Sequence, residues 1–156
     1  MANSATAAPD VAAAPATPAV KQLPTTEFLP LRLAQKAAEA AIKDCEKKGF
    51  AVTATVVDVD GVVIAQLRSD GTTAASVDAS KGKAYASAGF RSPTDALASN
   101  ASANPGLLQV PGFVILAGGL PVPGGSGNVV GGIGVGGAPS GAIDKTCAEA
   151  GLAAIG

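Results

Sequence analysis

The side chains with the clearest chemical reach lie along one short stretch, RSDGTTAASVDASKGK, which holds Arg68, Asp70, Thr72 and Lys83. A guanidinium fork and an ammonium hold carboxylates through charge-assisted hydrogen bonds. With Asp70 or Lys83 as proton donor or acceptor, the same set could act on a small organic acid held by Arg68. Either residue would need a pKa displaced by burial or by neighbours. Read without a ligand, the stretch is a surface Arg68–Asp70 pair beside a solvated lysine, an arrangement of little energetic weight. What surrounds these groups therefore decides their role.

The chain contains no histidine. That removes the usual general base, the commonest metal ligand and the usual haem ligand. Ser-His-Asp and Cys-His mechanisms cannot be assembled from it, and its two cysteines cannot form a four-cysteine zinc site, so no metal site is evident. A net charge of −1 gives no basic footprint for nucleic acid. No apolar run approaches the ~20 residues of a membrane span. Gly132, Gly134 and Gly137 fit the G-x-G-x-x-G spacing, but the residues up to Gly156 read as a helix with no second strand. A packing role for these glycines is therefore favoured over a dinucleotide-binding unit, and no P-loop motif is present.

The elements that must position these groups read as a single α+β domain over residues 27–156. Residues 1–26 read as a disordered Ala/Pro-rich leader with too few bulky side chains to bury. The leader lacks the compact apolar segment of a signal peptide. It fits either an exported protein after signal removal, periplasmic or secreted, or a cytoplasmic tail. Residues 30–48 carry Leu31, Ala34, Ala38, Ala41, Ile42 and Cys45 at helical spacing and stop at Gly49. Residues 51–58 and 62–68 form a hairpin about Asp60-Gly61. Ser76 or Asp78 caps a helix running to about Ala88, a short helix covers 95–99, and Asn104-Pro105-Gly106 turns the chain. Strands are expected at 113–117, 120–122 and 128–135, and a last helix over 140–155 places Ile143, Cys147, Ala150 and Ala154 on one face. The result is one antiparallel sheet with helices.

Cys45 and Cys147 fall on the inner faces of the first and last helices. Helices packed side by side would let the thiols join; otherwise they are two inert core cysteines. Residues 118–137 hold ten of the twenty glycines, interleaved with Val122, Val129, Val130, Ile133 and Val135. Glycine weakens a regular strand, so this density marks a backbone that a ligand, a helix or another subunit approaches closely.

The segments VVDVDGVVIAQLRSDGT, KAYASA, GGLPV, GNVVGGIGVGGA and CAEAGLAAI, in this order over about residues 29–155, resemble the GlcG/HbpS family of small haem-binding and haem-degrading-type proteins. That family is related to the C-terminal domain of PduO-type proteins. The resemblance implies a profilin-like sandwich, a central antiparallel sheet with the terminal helices on one face, and homo-oligomers. Arg68, Asp70 and Gly71 match the family's R-x-D-G segment. Lys83 and Ala84 match its K-A, and Gly118, Gly119 and Pro121 its G-G-x-P. Gly132 to Gly137 match its glycine-rich strand, with Gly136 standing where a serine is usual, and Asp144 matches the acidic residue opening the last helix.

The resemblance implies a small anionic ligand, haem or a related tetrapyrrole, whose propionates Arg68 and Lys83 would hold. Candidate ligand-binding residues are Arg68, Asp70, Thr72, Lys83, Tyr85, Gly119, Pro121 and Gly134. With no histidine, axial ligation falls to Tyr85, a cysteine, a lysine or the hydroxyl of Thr72 or Thr73; Tyr85 alternatively fills core volume. The rivals are the organic-acid enzyme, with Asp70 or Lys83 catalytic, and a structural oligomeric module.

Overall fold

A computed structural model describes residues 25–156, so the expectations for the leader lie mostly outside the described residues. Helix α1 (Leu31–Lys47) begins where the Pro30 carbonyl accepts the amides of Leu33 and Ala34 at 2.9 and 3.0 Å. Its inner stripe is Ala34, Ala37, Ala38, Ala41 and Cys45, all without solvent exposure. Leu31, expected on that stripe, is instead exposed.

Strands β1 (Thr53–Asp58) and β2 (Val63–Arg68) form the expected hairpin. Its turn is fastened by the Asp58 carboxylate, which accepts the amides of Asp60 and Val62 at 3.0 and 2.8 Å. Helices α2 (Ala75–Phe90) and α3 (Thr94–Ala101) follow, then a 3-10 helix at Pro105–Gln109 where a simple turn was expected. Strands β3 (Gly119–Pro123) and β4 (Val129–Gly136) and helix α4 (Gly141–Ala153) complete the chain. The Ser140 hydroxyl accepts the Ile143 amide and so caps α4.

The four strands lie in the order β2-β1-β4-β3 with every neighbouring pair antiparallel. Helices α1 and α4 pack side by side on one face and α2 covers the other. Period-two alternation sorts the side chains. Ala54, Val56, Ile133 and Val135 join the α1–α4 layer, whereas Val57 meets Ala84 and Ala88 of α2. Thr53 and Thr55 share hydrogen bonds with Ser76 and Ser80 of α2 at 2.6 and 2.7 Å. A disulfide joins Cys45 of α1 to Cys147 of α4, their Cα atoms 5.5 Å apart.

Two expectations are corrected. Helix α2 begins at Ala75 with no side-chain cap. Ser76 and Asp78 lie inside the helix, past the capping position at Ala74, and the Ser76 hydroxyl donates back to the Thr73 carbonyl at 2.6 Å. The apolar run at 113–117 is not a strand. Gly112 turns the chain at φ 80°, the Val114 amide donates to the Gly82 carbonyl, and Phe113 packs edge-on against Tyr85 and Phe90. The segment lines the outer side of α2 and has no place in the sheet.

Candidate functional site

Helix α2 carries Lys83 and Tyr85 to different places. The Lys83 ammonium points into the protein, where it donates to the Asp144 carboxylate at 2.7 Å and to the Val135 carbonyl at 2.9 Å. The second Asp144 oxygen accepts the Ala138 amide at 3.1 Å. Each residue is 3% exposed. A Cβ on Gly118 would crowd both Asp144 and Lys83, so the bare backbone there leaves room for the pair. A charge buried this deeply needs a partner, and here each has one. Lys83 thus ties α2, β4 and α4 together through the sheet.

Gly119 and Gly134 face each other across β3 and β4. A Cβ on Gly134 would overlap the Ser80 carbonyl, and one on Gly119 the Lys83 carbonyl. Of the ligand, helix or subunit that the glycines anticipate, the one in contact is helix α2. Pro121 is half-buried on β3, the edge strand. Arg68 and Asp70 are exposed at the far end of β2, and no ion pair links them. The Thr72 hydroxyl donates to Ser76 at 3.3 Å. These residues do not converge on one cavity.

Tyr85 lies on the outer side of α2. Its ring covers Gly61, where a Cβ would overlap the ring carbons, and it meets Phe113 edge-on at 4.6 Å between centroids. Together with Val62, Lys81, Phe113 and Val114 it lines a slot of about 490 Å³, with Asp60 and Asp78 also in the lining. That size lies within the range of small-molecule sites. Asp78, Lys81, Gly82 and Tyr85 sit at i, i+3, i+4 and i+7, the helical spacing that would have revealed this face in the sequence. A second, more apolar groove of about 470 Å³ runs between Leu33 of α1, Leu152 and Ile155 at the end of α4, and Val122 and Val130 of the sheet. Neither cavity is lined by Arg68 or Asp70.

A family model described as haem degrading protein HbpS-like matches residues 29–153. The chain belongs to the HbpS-like family. A double mutant of HbpS from Streptomyces reticuli superposes with a TM-score of 0.87 at 41% identity, covering 93% of this chain and 99% of that one. Protein ORFY of Klebsiella pneumoniae gives 0.80 at 26% identity, over 87% of this chain and 96% of that one. A PduOC–heme complex gives 0.75 at 20% identity, over 83% and 96%, a likeness of fold. No curated protein matches the sequence.

The HbpS-like fold here is the α+β sandwich expected, with both terminal helices on one face. Among the described residues no group of three or more acidic, cysteine or histidine side chains could hold a metal ion. No described helix is long and apolar enough to cross a membrane. Sequence reasoning missed the partnership of Lys83 with Asp144, although both positions stood in matched motifs. It also missed Phe113, Gly61 and Lys81 as neighbours of Tyr85.

Proposed function

We propose that this HbpS-like chain binds haem or a related tetrapyrrole in the slot beside Tyr85. The observation that carries the reading is the placement of Tyr85. It is the chain's single tyrosine, and it lines a slot walled by Val62, Phe113 and Val114. Of the other ligands considered, both cysteines are joined in a disulfide and the Lys83 ammonium is buried against Asp144. A phenolic oxygen is an established type of haem-iron ligand. Lys81 on the slot's rim supplies the cation for a propionate, the anionic part of the ligand. When bound, the group would supply an iron centre; the chain's part is to hold it, shield its faces and fix its orientation.

The test is a hemin titration of the full chain followed at the Soret band. The expected result is a saturable shift at one hemin per chain, with Tyr85→Phe at least about tenfold weaker, or ~1.4 kcal/mol. Equal affinity in Tyr85→Phe would remove the slot from the reading, and no saturation in the parent protein would end it. The organic-acid enzyme gains no support, because Lys83 is enclosed and Arg68 and Asp70 are exposed and unpaired with each other.

The proposal extends to an oxidising compartment, periplasmic or extracellular, which the Cys45–Cys147 disulfide supports. It also includes a homo-oligomer. Leu116, 61% exposed, is apolar surface that a neighbouring subunit would cover.

A further inference from the structure

Helix α2 ends on an arginine in a conformation that suits glycine. The Arg91 amide donates to the Ala88 carbonyl and the Ser92 amide to the Ser87 carbonyl, the paired bonds of a Schellman ending. Arg91 occupies its left-handed position, at φ 52° and ψ 37°. It is the one non-glycine residue with positive φ among the described residues. Glycine would take this conformation without steric conflict, so an arginine here is held against a local preference.

Arg91 lines a cavity of about 400 Å³ together with Glu27, Ser126, Asn128 and the apolar Val59 and Val129. Among the described residues the guanidinium makes no ion pair, with Glu27 or with any other carboxylate. Glu27 is fixed by Ser126, whose hydroxyl donates at 2.6 Å and whose amide lies 3.2 and 3.3 Å from the two carboxylate oxygens. Those bonds lower its pKa, so it carries its negative charge at neutral pH. The cavity lining therefore includes one cation and one anion, together with the hydroxyl-bearing Ser126 and the amide-bearing Asn128. A dianion would meet Glu27 unfavourably, and a simple amine would meet Arg91 unfavourably.

We propose that this cavity binds a small zwitterion, an amino acid, with its carboxylate on the Arg91 guanidinium and its ammonium on Glu27. The site shares no lining residue with the Tyr85 slot and stands independently of the tetrapyrrole reading. Isothermal titration of the full chain with L-alanine and L-serine tests it, with acetate and ethylamine as single-charge controls. Saturable binding of at least one amino acid is expected, at least about tenfold tighter than either control. Arg91→Gly should raise the melting temperature by relieving the left-handed conformation, yet weaken amino-acid binding at least about tenfold. Glu27→Gln should abolish the preference for amino acid over acetate. Undiminished binding by Arg91→Gly, a lowered melting temperature in that variant, or no saturation up to about 10 mM in the parent protein would each overturn the proposal.

Discussion

The inner and outer sides of α2 solve opposite problems with the same helix. On the inner side Ser80, Ala84 and Ser87 lie against Gly132 and Gly134 of β4, so close that any added Cβ would overlap helix backbone. On the outer side Tyr85 and Lys81 face an open slot bordered by the Asp60–Val62 turn and the irregular segment around Phe113. The difference teaches what the glycines are for. They remove side chains from the sheet so that a small-residue helix can seat directly on it, at the packing density of a protein interior. The outer side has no such partner, and there the chain keeps its polar and aromatic groups.

The largest expected effect comes from breaking the inner contact. Gly134→Val drives a branched side chain into the Ser80 carbonyl and the Ala84 amide, backbone atoms that cannot turn aside. The expected loss is about 4 kcal/mol or more, enough to leave little folded protein by circular dichroism. Lys81→Ala on the outer side should change stability by less than about 0.5 kcal/mol. Comparable losses from both would show that the two sides are not packed differently.

Next is the buried pair. Lys83→Met leaves the Asp144 carboxylate 3% exposed with its cationic partner gone. That should cost about 3–5 kcal/mol in urea unfolding, and Asp144→Leu in the same molecule should recover much of it. Hemin binding per folded molecule should be unchanged in the double variant. A selective loss of hemin binding there, with stability restored, would return Lys83 to the ligand site.

Much of this architecture was legible because it rests on local patterns. The alanine stripe of α1, the Asp60-Gly61 hairpin and the inward placement of Cys45 and Cys147 follow from periodicity and turn chemistry. The density of glycines announced a close approach, although the sequence did not say that α2 makes it. Phe113 to Ala117 misled because an apolar β-branched run reads the same whether it enters a sheet or lies along a helix. Arg68, Asp70 and Lys83 misled for another reason. Closeness in sequence suggested a cluster, but the charge that meets Lys83 lies on α4, beyond two intervening strands. Long-range pairing of this kind leaves no local signal.

Helix α4 repeats the contrast in adjacent residues. Asp144 turns inward to Lys83, while Lys145 turns outward and pairs with Asp95 of α3 at 2.6 Å. Both outer side chains keep about a third of their surface in water, at 31% and 39% exposed, so screening makes this pair a weak one. The Lys145 hydrogen bond lowers the Asp95 pKa below its ordinary 3.8. The same bond raises that of Lys145 above its ordinary 10.5. Asp95 therefore contributes fully above pH 3.8 and loses that contribution as the pH falls through its lowered folded value. Lys145 contributes fully below pH 10.5 and loses it as the pH rises through its raised folded value. Asp95→Asn should then melt slightly below the parent at neutral pH, and the gap should close in acid below pH 3.8. Thermal melts of both proteins across that range check it. A gap that stays constant into strong acid would mean that Asp95 stabilises α3 by its shape or its helix-terminal bonds, and that the pairing across to α4 contributes nothing.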